Sequence, residues 1–264
     1  MSNHMKNKIF NVVYVINEKF QYQKMAVLSA LTLRIWNKEV EIIFVVCGSW
    51  HFPILPELRP YRVIHKSPII GLFPLDKVLL TELEDLTTLL YLDADTVILK
   101  DIHNLLHFTK KDLSARLAWV YQQQEIWNSR YDSAWRKVIS ITGLNYIPIL
   151  NSGVMLFQNG SHLKIRDPWN TYMKRFLQCE LPQVYGSFRH YEQLGLALAI
   201  SEQKLSVEIM PEDLHGFGWV PEPPKSVVYH LASKHYSEKI NSLLFETGLL
   251  PHLEQMPSFH YVYD

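Results

Sequence analysis

The sequence predicts an α/β fold: a mostly parallel central sheet flanked by helices. Two observations carry this reading. Apolar runs recur at IFNVVYVIN (9–17), EIIFVVC (41–47), LLYLDADTVILK (89–100) and ILNSGVMLF (149–157), without the alternation of a half-exposed strand. Between several of them lie stretches whose apolar residues have helical spacing. The organising run is 89–100, interrupted once by Asp93-Ala94-Asp95, two carboxylates that are costly to bury unless a positive group compensates them.

In chain order, 9–17 reads as a first buried strand with Asn17 at its carboxyl end. Residues 21–36 place Met25, Leu28, Leu31, Leu33 and Ile35 among polar positions, a helix ending near Trp36-Asn37-Lys38. Residues 41–47 form a second strand closed by Gly48, and Pro53, Pro56 and Pro60 make 49–60 irregular or a short helix. Tyr61 to His65 is a third strand, and 74–86 a helix feeding the strand 89–100. This order implies crossover helices in an open sheet. Ligands of such sheets sit beyond the carboxyl ends of strands, where Asn17, Gly48 and Asp93–Asp95 all fall.

Downstream, Ile102, Leu105 and Leu106 suggest a short helix and Ala118 to Tyr121 a strand. Gln122 to Trp135 reads either as a substrate wrap or as a solvated helix. Ile149 to Phe157 is a strand interrupted by Asn151-Ser152-Gly153, and 168–178 and 190–203 are helical. Val207 to Met210 is a short strand, 214–224 a loop, and Ser226 to Leu231 a last strand carrying His230. No repeat or linker divides the chain. The expectation is one domain over 1–264, with a nucleotide-binding half (about 9–100), a sugar-binding half (about 101–240) and a tail (about 241–264).

Composition narrows the function. Lys+Arg and Asp+Glu balance at 26 each, so no global field favours nucleic acid. The two cysteines, Cys47 and Cys179, make no disulfide framework, and Cys47 in its apolar run reads as a small buried thiol. No run is long enough for a membrane span, and MSNHMKNKIF lacks the apolar core of a secretory signal, so the expected location is cytoplasmic. The aromatic run Phe259 to Tyr263 lacks a basic flank and reads as packing on the domain, with peripheral membrane contact as the alternative. Neither GxxxxGK[ST] nor GxGxxG occurs, which argues against kinase and dinucleotide readings.

On an extended segment Asp93 and Asp95 point to the same side, and paired oxygen donors there suit a hard divalent cation. The competing reading is that one of them ends the strand or caps a turn. His103 and His107 have a helical metal-binding spacing, but no carboxylate or HExxH supports it and a surface face explains them.

Taken together, YLDADTVIL and LNSGVMLF in an α/β pattern resemble glycosyltransferase family 8, which contains glycogenin and bacterial lipopolysaccharide galactosyltransferases. The resemblance covers roughly residues 9–240. It implies a GT-A nucleotide-diphospho-sugar transferase fold. The implied reaction moves a hexose or pentose from a UDP-sugar to a saccharide, lipid-linked or protein acceptor hydroxyl, with retention and with Mn²⁺ or Mg²⁺. By resemblance Asp95 binds the metal, Asp93 contacts ribose and metal, and His230 completes the metal shell; Ala94 falls in the donor-binding set. Lys77, 16 residues before Asp93, matches a basic residue facing the donor, and a solvated helix lysine is the alternative. Asn151 and Gly153 match the family's Asn-x-Gly beside the donor sugar, with Ser152 lining the pocket; a β-bulge is the alternative. Glu192 and Gln193 stand where the family has Asp-Gln. Gln193 would stabilise an oxocarbenium-like centre and Glu192 position sugar hydroxyls, with helix capping as Glu192's competing role.

Two departures stand out. Asn17 replaces an acidic residue that contacts uracil in many relatives, and HLASKHY after the last strand lacks the family's Gly and Pro-Trp. Lys234 is the candidate pyrophosphate cation there, ahead of His235. These departures motivate a rival reading, a catalytically weak or inactive nucleotide-sugar-binding protein. A metal-dependent nucleotidyltransferase or phosphohydrolase is a third, lacking a glycine-rich phosphate loop.

Overall fold

A computed structural model describes residues 10–53, 55–71, 75–108, 110–118, 150–178, 191–218, 224–231 and 236–263. Its elements in order are β1 (Asn11–Asn17), α1 (Phe20–Trp36), β2 (Glu41–Cys47), a 3₁₀ turn (Pro56–Leu58), β3 (Tyr61–Lys66), a longer 3₁₀ helix (Leu75–Glu82), β4 (Leu89–Leu92), β5 (Thr96–Ile98), α2 (His103–Phe108) and β6 (Leu113–Leu117). After these come β7 (Leu150–Phe157), α3 (Ser161–Lys164), α4 (Arg166–Gln178), α5 (Tyr191–Glu202), β8 (Val207–Ile209), β9 (His215–Phe217), β10 (Val228–His230), α6 (Tyr236–Glu246), α7 (Leu250–Leu253) and α8 (Pro257–Tyr263).

The main sheet has the order β3-β2-β1-β4-β7-β6-β8. β1, β2, β3 and β4 are mutually parallel, and β7 alone runs against its neighbours β4 and β6. Both faces are covered, which is why the strands read as unbroken apolar runs. Along β1, Val12, Tyr14 and Ile16 enter one core while Val13 and Val15 enter the other. The first core holds α1 and the C-terminal helices; the second holds the longer 3₁₀ helix, α4 and α5. α1 is buried almost all round, as expected of a helix between a sheet and further structure. Its buried Arg34 is satisfied by the carbonyls of Asn37, Val40, Leu58 and Pro60.

Several expectations are corrected. The run 89–100 is two strands rather than one: β4 belongs to the main sheet, while β5 pairs with β10 in a separate sheet ordered β5-β10-β9. A turn at Asp93–Thr96 makes the transfer, with Asp93 O accepting from Thr96 N (3.2 Å) and Thr96 Oγ1 (2.8 Å). Residues 75–82 wind as a 3₁₀ helix rather than an α-helix. Asp76 to Thr81 are all buried, so this segment has no polar face whose spacing would reveal its pitch. β6 ends at Leu117 and Ala118 follows it; the rest of the strand expected at Ala118 to Tyr121 lies outside the described residues. The loop expected at 214–224 contains β9. Cys47 is half-buried at the end of β2, its thiol pushed up to about 11 by burial and by Asp76 and Glu82. The run Gln122–Trp135 lies outside the described residues.

The C-terminal helix packs on the domain through Phe259 and Val262, and Tyr261 is exposed. Glu57 receives Ser258 N (3.2 Å) at the start of that helix. Among the described residues no helix is long and apolar enough to cross a membrane.

Candidate metal and donor site

Three strands meet at the turn after β4. Asp93 N donates to Gly153 O of β7 (2.8 Å), and Leu231 N, just after β10, donates to Asp95 O (3.0 Å). These bonds aim the side chains of Asp93, Asp95 and His230 at one point, with ligand atoms all within 4.8 Å of one another. His230 Nε2 lies 3.2 Å from Asp95 Oδ1 and 3.7 Å from Asp93 Oδ2. The two aspartates thus converge through a turn, not through the strand alternation expected from the sequence.

Burial alone would raise the Asp95 carboxyl, but the facing His230 holds it below its ordinary value. Burial would conversely lower His230, and Asp95, followed by Asp93, holds it above its ordinary value. Two carboxylates and an imidazole offer a donor set that could hold a divalent metal ion. Among the described residues no other group of three or more such side chains converges this way. His103 instead pairs at the surface with Asp101 (2.7 Å).

Gly153 is explained by what lies over it. A Cβ there would stand 2.3 Å from His230 Cε1 and 2.4 Å from Nδ1. The close approach that glycine permits is made by the imidazole itself. Asn151 Oδ1 accepts from Gly153 N (2.9 Å), holding the start of β7 in shape.

The second part of the site centres on Lys77, which is 4% exposed and so is no solvated helix lysine. Its Nζ lies 2.8 Å from Asp93 Oδ1 and 3.9 Å from Glu192 Oε1, and donates to Ser152 O (3.2 Å) and Oγ (3.0 Å). Ser152 Oγ donates in turn to Glu192 Oε1 (2.8 Å). Glu192 is in the first turn of α5 yet buried against this cluster; burial raises its carboxyl, and Lys77 and Ser152 offset part of that rise. Its Oε2 has no hydrogen-bond partner among the described residues. Gln193 follows it, half-buried.

Asn17 ends β1 at the same edge, its Oδ1 accepting from Lys19 N (3.0 Å), and Ala94 is half-buried in the turn. The Gln193 backbone N–H faces the Glu192 carboxylate. Lys234 and His235 lie outside the described residues.

Sequence reasoning missed Tyr91. Its hydroxyl donates to Asp93 Oδ1 (2.6 Å), and its ring lies 5.1 Å from Lys77 Nζ. The available signal was a lone hydroxyl inside an apolar run, two residues before Asp93. It also missed His215, which is fully buried with its ring stacked on His230 at 5.9 Å. Burial, His230 and Arg116 hold His215 well below its ordinary value. A cleft of about 560 Å³ opens elsewhere, lined in part by Lys164, Tyr172, Arg175 and Glu202. It holds none of the converging ligand atoms, so chemistry rather than volume locates the candidate site.

No protein-family model and no curated protein sequence matches the chain. Its structure is nevertheless similar to solved glycosyltransferases. The galactosyltransferase LgtC, solved with donor and acceptor sugar analogues, matches at TM-score 0.63 and 14% identity over 90% of this chain and 95% of LgtC. The glycosyltransferase GlyE of Streptococcus pneumoniae matches at 0.59 and 14%, over 90% of this chain and 60% of its own. Mouse xyloside xylosyltransferase 1 matches at 0.52 and 13%, over 85% of this chain and 98% of its own. The fold is therefore the GT-A glycosyltransferase fold, with the candidate site at the carboxyl end of β4.

Proposed function

We propose that this chain is a metal-dependent, retaining glycosyltransferase that takes a sugar from a UDP-sugar and transfers it to an acceptor hydroxyl. The observation that carries the reading is the convergence of Asp93, Asp95 and His230 at a parallel-strand end of this fold. The family 8 resemblance and a neighbour solved with donor and acceptor sugar analogues support it.

In this reading Asp93, Asp95 and His230 would hold Mn²⁺ or Mg²⁺, which would supply counter-charge to the leaving diphosphate. Lys77 keeps Asp93 oriented and faces the donor. Asn151, Ser152 and Gly153 line the donor sugar, Glu192 accepts from its hydroxyls through the unpartnered Oε2, and Gln193 stands nearest the anomeric carbon. An amide is a poor nucleophile, so retention is read as same-face attack rather than a covalent intermediate. Asn17 and Ala94 contact the nucleoside, and Lys234 the pyrophosphate. The acceptor is a saccharide, lipid-linked or protein hydroxyl.

Calorimetric titration with UDP, with and without Mn²⁺, tests the reading. Tight binding only with Mn²⁺ is expected, followed by UDP release from a UDP-sugar. Metal-independent binding would remove the metal from the reading, and absence of binding would remove the UDP donor. The altered HLASKHY segment favours a second reading, in which UDP-sugar binds but no sugar is released to any acceptor.

A further inference from the structure

Three buried hydroxyls lie in a row beneath the Asp93–Thr96 turn. Tyr14 Oη of β1 is 2.9 Å from Ser29 Oγ of α1, and Ser29 Oγ is 2.9 Å from Thr96 Oγ1 of β5. Thr96 Oγ1 then donates to Asp93 O (2.8 Å). All three residues are essentially inaccessible, with exposures of 0, 1 and 1%.

The direction of this row follows from proton counting. A carbonyl has no proton to give, so Thr96 spends its single hydroxyl proton on Asp93 O. Thr96 Oγ1 must therefore accept from Ser29, and Ser29 Oγ must accept from Tyr14. Every donor points toward the turn, and such a chain is mutually polarised. Phe, Ala and Val would fill the same core positions without hydroxyls that cost free energy unless bonded. α1 grips β5 a second time through Thr32, whose Oγ1 accepts from Ile98 N (3.0 Å).

We infer that Tyr14, Ser29 and Thr96 are positioning residues that hold the Asp93–Thr96 turn in its metal-binding shape, Tyr14 and Ser29 acting on it from within the core. The inference rests on the metal reading given above. β7 and β10 fix the turn through Asp93 N and Asp95 O; the hydroxyl row fixes it through Asp93 O, from the α1 side. Loosening that third attachment lets the two carboxylates drift relative to His230.

The test uses the full chain, with Mn²⁺ alone as probe, free Mn²⁺ read by electron paramagnetic resonance, and thermal unfolding measured in parallel. Ser29→Ala is expected to weaken Mn²⁺ affinity about 10-fold, the lower end for partners that orient metal ligands. Thr96→Ser keeps the row and should keep affinity within about twofold. Ser29→Ala strands the Tyr14 hydroxyl, so adding Tyr14→Phe should restore part of the lost Tm while leaving Mn²⁺ affinity weak. Unchanged affinity in Ser29→Ala, with only a lowered Tm, would overturn the inference. If Ser29→Ala does not fold, Tyr14→Phe decides: affinity weakened about threefold supports the row, and unchanged affinity overturns it. Absence of Mn²⁺ binding by the unaltered chain would overturn the metal reading itself, an outcome distinct from these.

Discussion

On the Lys77 side of Asp93 the chain supplies its own counter-charge. A buried ammonium lies 2.8 Å from Asp93 Oδ1 and 3.9 Å from Glu192 Oε1. On the opposite side, Asp93 Oδ2 and Asp95 face the His230 imidazole. The first arrangement is a permanent ion cluster that orients carboxylates. The second sets Asp95 and the other Asp93 oxygen against one imidazole, and in the proposed reading it takes an exchangeable cation. Asp93 takes part in both, one oxygen to each. In the proposed reading, its role as a ligand therefore depends on Lys77 staying in place.

The strongest way to break this comparison is to remove the built-in cation. Lys77→Met leaves two carboxylates uncompensated and should cost about 3–5 kcal/mol in urea unfolding. Near-normal stability would show that the two sides are alike. Asp95→Ala, on the other side, should leave the fold largely intact while lowering metal-dependent turnover and Mn²⁺ affinity by more than about 100-fold. Wild-type turnover in a folded Asp95→Ala protein would remove the metal assignment. Gly153→Ala sharpens the contrast, because its Cβ would stand 2.3 Å from the His230 ring and only the exchangeable side should suffer. Mn²⁺ affinity should fall about 10-fold in that variant, with the Lys77 cluster undisturbed.

The smallest effect concerns pH, and it separates stability from the site. His162 is fully buried, with Nε2 3.0 Å from Leu83 O and, among the described residues, no partner for Nδ1. Burial holds it below its ordinary value. As pH falls through the unfolded-state value of about 6.5, the unfolded chain takes up the proton first, so stability is full above that pH and declines below it. The slope is at most about 1.4 kcal/mol per pH unit for this one group. Urea titrations of His162→Gln between pH 5 and 7 should show a shallower decline than the unaltered chain.

Much of the main sheet was legible because burial on both faces leaves apolar runs, as in β1, β2 and β7. Asp93, Asp95 and His230 were legible as charged or polar interruptions at strand ends. What escaped the sequence depends on distant partners. Nothing local to LLYLDADTVILK tells that β5 leaves the main sheet, since its partner β10 lies far along the chain. Lys77 was legible as a candidate facing the donor, but its burial among Asp93, Ser152 and Glu192 was not. Ser29 looks like an ordinary small residue in a helix, and only the packing of α1 on β1 and β5 makes its hydroxyl a link.

The contact between Gly153 and His230 also binds the two positions in inheritance. A Cβ at one and an imidazole at the other claim the same volume, so a substitution at 153 forces the ring at 230 to shift or to be given up. Lineages that retain the histidine should retain the glycine. Among lineages that lose both, the histidine should go first, and the gap it leaves would then accept alanine or serine at 153. An alignment of true relatives would therefore carry, at position 153, a record of which descendants gave up the imidazole at 230.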